Sequence, residues 1–114
     1  MHELSIVMSI IDQVTAAAQA EAARSINVVE LEVGTFSGVM IDSLKFCFDV
    51  ATRDTQMQGA KLIIHSVAAQ GKCLECNLES KVESLPVQCP GCGEYLLSIA
   101  NGQDIRIVSI TIDE

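Results

Sequence analysis

The sequence predicts an α+β fold, two helices packed on a three-stranded sheet, with a zinc-ribbon domain inserted before the last strand. Three observations predict it. Two stretches carry apolar residues at three- and four-residue steps, three others read as apolar strands, and four cysteines in two Cys-x-x-Cys pairs separate the last strand from the rest. At 114 residues and 49% hydrophobic content, the chain is of single-domain size with material for one modest core.

The first helix carries its stripe on Leu4, Val7, Ile11, Val14 and Ala18, and the alanine-rich run Ala16 to Ala23 extends it to about Arg24. From Ile26 to Val33 the period changes: Val29, Leu31 and Val33 alternate with Glu30 and Glu32, so one strand face is buried. Gly34 and Gly38 bracket a turn. Leu44, Cys47, Phe48 and Ala51 restore the helical period up to about Arg53, with Asp42 or Ser43 as the expected cap. Gly59 breaks the chain before the strand Lys61 to Val67, expected to be covered on both faces or nearly so. Inside the ribbon, Lys81 to Leu85 and Tyr95 to Ile99 are candidate short strands. In the last strand, Ile105 and Ile107 share one parity while Val108, Ile110 and Ile112 share the other, which predicts a bulge near Val108. That strand must return to the first sheet, giving one domain of residues 1–69 completed by 103–114, and a ribbon domain of residues 70–102.

Cys73-Leu-Glu-Cys76 and Cys89-Pro-Gly-Cys92 are separated by twelve residues. Each pair folds into a tight knuckle, and together they supply the four thiolates that a closed tetrahedral Zn²⁺ site needs. Asn77 and Gly93 follow the two pairs, and both residue types tolerate the positive φ that such a reversal demands. A rubredoxin-type iron centre uses the same four sulfurs and stays open on geometry alone. Disulfides need an oxidising compartment, and Met-His-Glu-Leu-Ser lacks the basic start and apolar run of a secretory signal. Cys47 lies on the apolar stripe of the second helix, where a thiol behaves as a small hydrophobe.

Seven basic residues against fifteen acidic ones give a net charge of −8. This field repels phosphate backbones, so nucleic acid is not an expected partner. No apolar run reaches membrane-spanning length, and a cytoplasmic protein is expected. No nucleophile-base-orienter set and no phosphate loop suggest catalysis.

The N-terminus offers a second chemistry. The Met1 amine, the His2 amide nitrogen and the His2 imidazole can close adjacent chelate rings, with the Glu3 amide as a planar fourth donor. Such a set suits Ni²⁺ or Cu²⁺ better than Zn²⁺. It requires deprotonated donors and a retained Met1, which the bulky His2 favours. The bland reading is a polar residue at a frayed end. His65 reads as a strand-face histidine.

Taken in order, Met1-His2-Glu3-Leu4-Ser5, Glu32-Val33-Gly34-Thr35-Phe36-Ser37, Ser43-Leu44-Lys45-Phe46-Cys47-Phe48-Asp49, Gly59-Ala60-Lys61-Leu62 and the two cysteine pairs resemble the HypA/HybF family of hydrogenase nickel-incorporation proteins. The resemblance implies a metallochaperone, not an enzyme, that helps load Ni(II) into the large subunit of [NiFe]-hydrogenase with a HypB-type GTPase, as a monomer or homodimer. Some relatives also serve urease. It places nickel on Met1, His2 and Glu3, and structural Zn(II) on Cys73, Cys76, Cys89 and Cys92. Asn77 stands where family members often carry Gly. The rival reading is a zinc-ribbon adaptor with no nickel role.

Overall fold

The computed structural model describes residues 3–82, 88–95 and 97–113. Its elements are α1 (Glu3–Ala20), β1 (Ser25–Gly34), α2 (Ile41–Ala51), β2 (Lys61–Val67), β3 (Ala69–Cys73), β4 (Glu79–Val82), β5 (Leu97–Asn101) and β6 (Ile105–Asp113). They form two three-stranded sheets, ordered β2-β1-β6 and β4-β3-β5. The chain divides into two compact units: Met1–Glu32, Val39–His65 and Arg106–Glu114 in one, Val33–Gly38 and Ser66–Ile105 in the other.

In the first unit, apolar periodicity becomes burial. Val7, Ile10, Val14 and Ala18 of α1, Leu44 and Phe48 of α2, and Ile26, Val29 and Leu31 of β1 form its interior with Met57. Each large side chain among them contributes about 1.5–3 kcal/mol by leaving water. The α1 stripe is rotated from the expected one, with Ile10 buried in place of Ile11 and Leu4 54% exposed. α1 also stops at Ala20 rather than near Arg24. Ala22 adopts φ 54°, while the Ala22 amide donates to the Gln19 carbonyl and the Ala23 amide to the Ala18 carbonyl, at 3.1 and 3.0 Å. This is a Schellman closure with alanine in the left-handed position that glycine usually takes.

The start of α2 corrects a second expectation. Met40 is its N-cap residue and no side chain of its own helix caps it. The Glu3 carboxylate from α1 does so, accepting the Met40 amide and the Ser43 hydroxyl, each at 3.4 Å. At the other end, the Thr52 hydroxyl donates to the Phe48 carbonyl at 2.8 Å.

β1 is the central strand of the first sheet. Along it, partners on β6 fall in number as β1 rises: the Arg24 amide donates to the Asp113 carbonyl, and Arg106 pairs with Glu32. β6 therefore runs antiparallel to β1. Its half-buried residues are Ile105, Ile107, Ile110 and Ile112, with Val108 and Ser109 both exposed between them, the phase slip expected near Val108. β2 is an edge strand; Leu62 and Ile64 on one face and Ile63 on the other are half-buried and none is fully buried, so both faces are covered only in part.

The second unit is built on β3, a strand the sequence analysis does not anticipate. β3 pairs antiparallel with β4, Ala69 opposite Val82 and Lys72 opposite Glu79. It also pairs antiparallel with β5, Gly71 opposite Ile99, with an irregularity between Gln70 and Gly71. The expected ribbon strands shift: β4 begins at Glu79, ahead of Lys81, and β5 at Leu97, after Tyr95. Residues 83–85 and 96 of those candidate strands lie outside the described residues. Val33–Gly38 is stitched into this unit. The Gly34, Thr35 and Phe36 amides donate to the carbonyls of Asp104, Val67 and Gly102 at 2.8, 2.9 and 2.8 Å, and Thr35 Oγ1 accepts the Ala69 amide at 3.3 Å. A Cβ on Gly34 would collide with the Gly102 carbonyl.

Candidate metal centre

The two cysteine pairs fold into matching knuckles because each repeats the same backbone bonds. The Asn77 amide donates to the Cys73 carbonyl and the Cys73 amide to the Leu78 carbonyl, both at 2.9 Å. In the second pair the Gly93 amide donates to the Cys89 carbonyl at 2.9 Å and the Cys89 amide to the Glu94 carbonyl at 2.8 Å. Each turn needs one residue with positive φ, and Asn77 (64°) and Gly93 (80°) supply it. The expectation set on those two residues holds.

The knuckles bring Cys73, Cys76, Cys89 and Cys92 together with their sulfurs within 4.8 Å of one another. Cys73 Sγ lies 3.5 Å from Cys92 Sγ, and Cys76 Sγ 3.5 Å from Cys89 Sγ. A tetrahedral zinc with bonds of about 2.3 Å sets its sulfurs about 3.8 Å apart, so the cluster has the size of such a site. All the cysteines are free. The first cysteine of each pair is buried and the second exposed, so the cluster has an inner and an outer edge.

Four thiols this close cannot ionise independently. Cys89 is drawn down to about 6, first by the Cys92 amide and then, against burial, by the Gly91 amide, which lies 3.4 Å from its sulfur. Cys92 goes the other way. The Glu94 amide favours its thiolate, but the Cys73 thiol, burial and the thiols of Cys76 and Cys89 outweigh it and push it up to about 12. For Cys76 the Leu78 amide is likewise outweighed, chiefly by the Cys89 thiol and burial, and its pKa is raised. A divalent cation relieves this competition, because it stabilises all four thiolates at once and displaces their protons.

Gly91 is a site residue that ligand spacing alone does not single out. A Cβ there would lie 2.9 Å from the Leu78 side chain and 3.7 and 3.9 Å from the sulfurs of Cys89 and Cys76. The Pro-Gly inside the second pair was the available signal. Cys47 is not part of the cluster, and His65, on β2, sits 3.7 Å from the Glu30 carboxylate. Of the three N-terminal residues, Met1 and His2 lie outside the described residues. Glu3 is the first residue of α1, and its carboxyl is held below its ordinary value of 4.5, chiefly by the Met40 amide, with burial opposing and the Ser43 hydroxyl assisting. Among the described residues no helix is long and apolar enough to cross a membrane.

The family model described as "Hydrogenase/urease nickel incorporation, metallochaperone, hypA" matches residues 1–112. The chain is 43% identical over 113 residues to a hydrogenase maturation factor HypA of Chlorobaculum parvum, covering 99% of this chain and 100% of that one. It is 42% identical to the factor of the same name from Prosthecochloris aestuarii, with the same coverage. The solution structure of the Ni metallochaperone HypA from Helicobacter pylori superposes with a TM-score of 0.69 at 23% identity, over 99% of this chain and 98% of that one. That likeness concerns the fold. The family consists of maturation factors and metallochaperones rather than enzymes. With a match from the first residue almost to the last, the chain belongs to the HypA family of hydrogenase maturation factors and nickel metallochaperones.

Proposed function

We propose that this chain carries Ni(II) on Met1, His2 and Glu3 and delivers it to the large subunit of [NiFe]-hydrogenase, with a HypB-type GTPase as its partner in the cytoplasm and urease as a second client class. The family match running from residue 1 carries this reading, since it includes Met1-His2-Glu3. The position of α1 supports it physically. The first four amides of a helix have no intrahelical partner, and α1 begins at Glu3. The Glu3 amide can therefore give up its proton to a metal without breaking a helical hydrogen bond. The positive end of the helix favours the negative charge that results. A terminal chelate is also reachable from one side, so a partner can remove the ion by ligand exchange while the carrier stays folded.

In the same reading Cys73, Cys76, Cys89 and Cys92 hold Zn(II) with no open position, which makes the zinc structural. Bound there, it would offset two of the four thiolate charges and lock the two knuckles together. Nickel work falls to residues 1–69 with 103–114, and zinc to residues 70–102. The test is complementation in cells that lack their own copy of this chain, grown at limiting nickel. Wild type should restore hydrogenase activity and His2→Ala should not, while excess nickel should rescue His2→Ala. Equal activity of the two at limiting nickel would overturn the reading.

A further inference from the structure

We infer that the Glu3 carboxylate is a positioning group rather than a nickel ligand, and that Ser43 is the side chain that holds it. This rests on the nickel reading above. The two carboxylate oxygens have separate duties: one accepts the Met40 amide and the other the Ser43 hydroxyl, across 37 and 40 residues of sequence. α2 has no side-chain cap of its own, so Glu3 fills a vacant place at the positive end of that helix. Glu3 and Ser43 are both half-buried, although Glu3 stands at the first turn of the first helix, where a chain end would otherwise fray.

The consequence falls on the chelate. Planar nickel coordination through the amides of His2 and Glu3 needs those peptide planes held in one orientation, and the Glu3 Cα is an atom of that frame. Anchoring its carboxylate on the first turn of α2 fixes the frame before the metal arrives. Loss of the Glu3 amide proton on metal binding sets a new negative charge beside the carboxylate. The Met40 amide and the Ser43 hydroxyl oppose that repulsion. A carboxylate so occupied leaves an all-nitrogen donor set, the kind that suits Ni²⁺ in a plane. The Met40 contact is made by backbone, so Ser43 is the contact a substitution can remove.

The experiment is a calorimetric nickel titration of the zinc-loaded full chain with its native N-terminus, well below its melting temperature, with the visible spectrum of bound nickel recorded alongside. Ser43→Ala should weaken nickel binding about ten-fold, the lower end of what one hydrogen bond to a charged group contributes, with unchanged stoichiometry and spectrum. Ser43→Thr, which keeps the hydroxyl, should bind like wild type. Glu3→Ala should weaken binding more than Ser43→Ala and keep the spectrum, because the amide donors remain. An unchanged dissociation constant in Ser43→Ala, even with a lower melting temperature, would overturn the positioning role. So would a Glu3→Ala spectrum altered in the manner of a lost ligand. Either result with binding abolished in His2→Ala leaves the nickel reading standing. Wild-type affinity in His2→Ala would bring down both.

Discussion

The two compact units of this chain close their interiors by different means. In the first, the interior is a continuous set of aliphatic and aromatic side chains from two helices and a central strand. In the second, the buried residues described are Val33, Ser37, Ala69, Cys73, Val82 and Cys89, with Gly34, Gly71 and Gly102 packed by backbone alone. So few apolar groups leave this unit short of hydrophobic stabilisation against the entropy of ordering its backbone. Four thiolates on one zinc, with an apparent binding energy of about 10–16 kcal/mol near neutral pH, would supply part of what is missing. On the proposed zinc reading, one unit is held by area removed from water and the other by a coordination centre, and each should fail under a different insult.

The largest effect should come from taking metal away. Chelation, or Cys89→Ser, should strip hydrogen-exchange protection from the β3 amides around Gly71 and Lys72 while α1 amides such as Val14 keep theirs. Equal loss in both units would dissolve the contrast. Acid should act similarly, because protons compete with the metal for the thiolates, so zinc retention should fall with decreasing pH.

Gly34→Ala comes next. Its Cβ would run into the Gly102 carbonyl and lie 2.8 Å from the Gln103 nitrogen, both main-chain groups that cannot rotate aside. A loss of about 3 kcal/mol in denaturant unfolding of the zinc-loaded protein is expected, the upper part of the range for overpacking. A neutral substitution would mean that this backbone crossing is looser than it stands.

Ala22→Gly should move stability in the opposite direction. Alanine in the left-handed region carries a penalty of about 1 kcal/mol that glycine escapes. The melting temperature of the first unit should rise. A fall would show that the helix end is closed by something other than the Schellman bonds.

The smallest effect concerns Glu3. Its folded pKa lies below 4.5, so its contribution is present above that value and is lost as pH falls through the folded pKa. The wild type should therefore lose more stability than Glu3→Gln as pH drops below 4.5, read by thermal unfolding of the helices. Parallel pH profiles would contradict the cap.

How much was legible follows the same division. Long periodic patterns gave both helices, the central strand and the bounds of β2, because burial in the first unit is written in large apolar residues. β3 also alternates, with Ala69, Gly71 and Cys73 inward and Gln70 and Lys72 outward. Its inner face is made of small residues, however, and a hydrophobic period cannot show it. The alanine run carried no stop signal, since α1 ends through the conformation of Ala22 rather than through a breaker. The α2 cap was invisible for another reason: Glu3 is far from Met40 in sequence and meets it only in the fold. The cysteine site was the most legible feature, because a knuckle is local and the Asn77 and Gly93 conformations are properties of residue type.

The most direct test of the nickel chelate is a calorimetric titration of the zinc-loaded, untagged protein beside two variants, His2→Ala and a chain with one glycine placed before Met1. The account predicts stoichiometric nickel binding that disappears in both, because the first removes the imidazole and the second moves the amine out of its chelate ring. Binding that survived in both would contradict it and leave the chain's metal chemistry to its four cysteines.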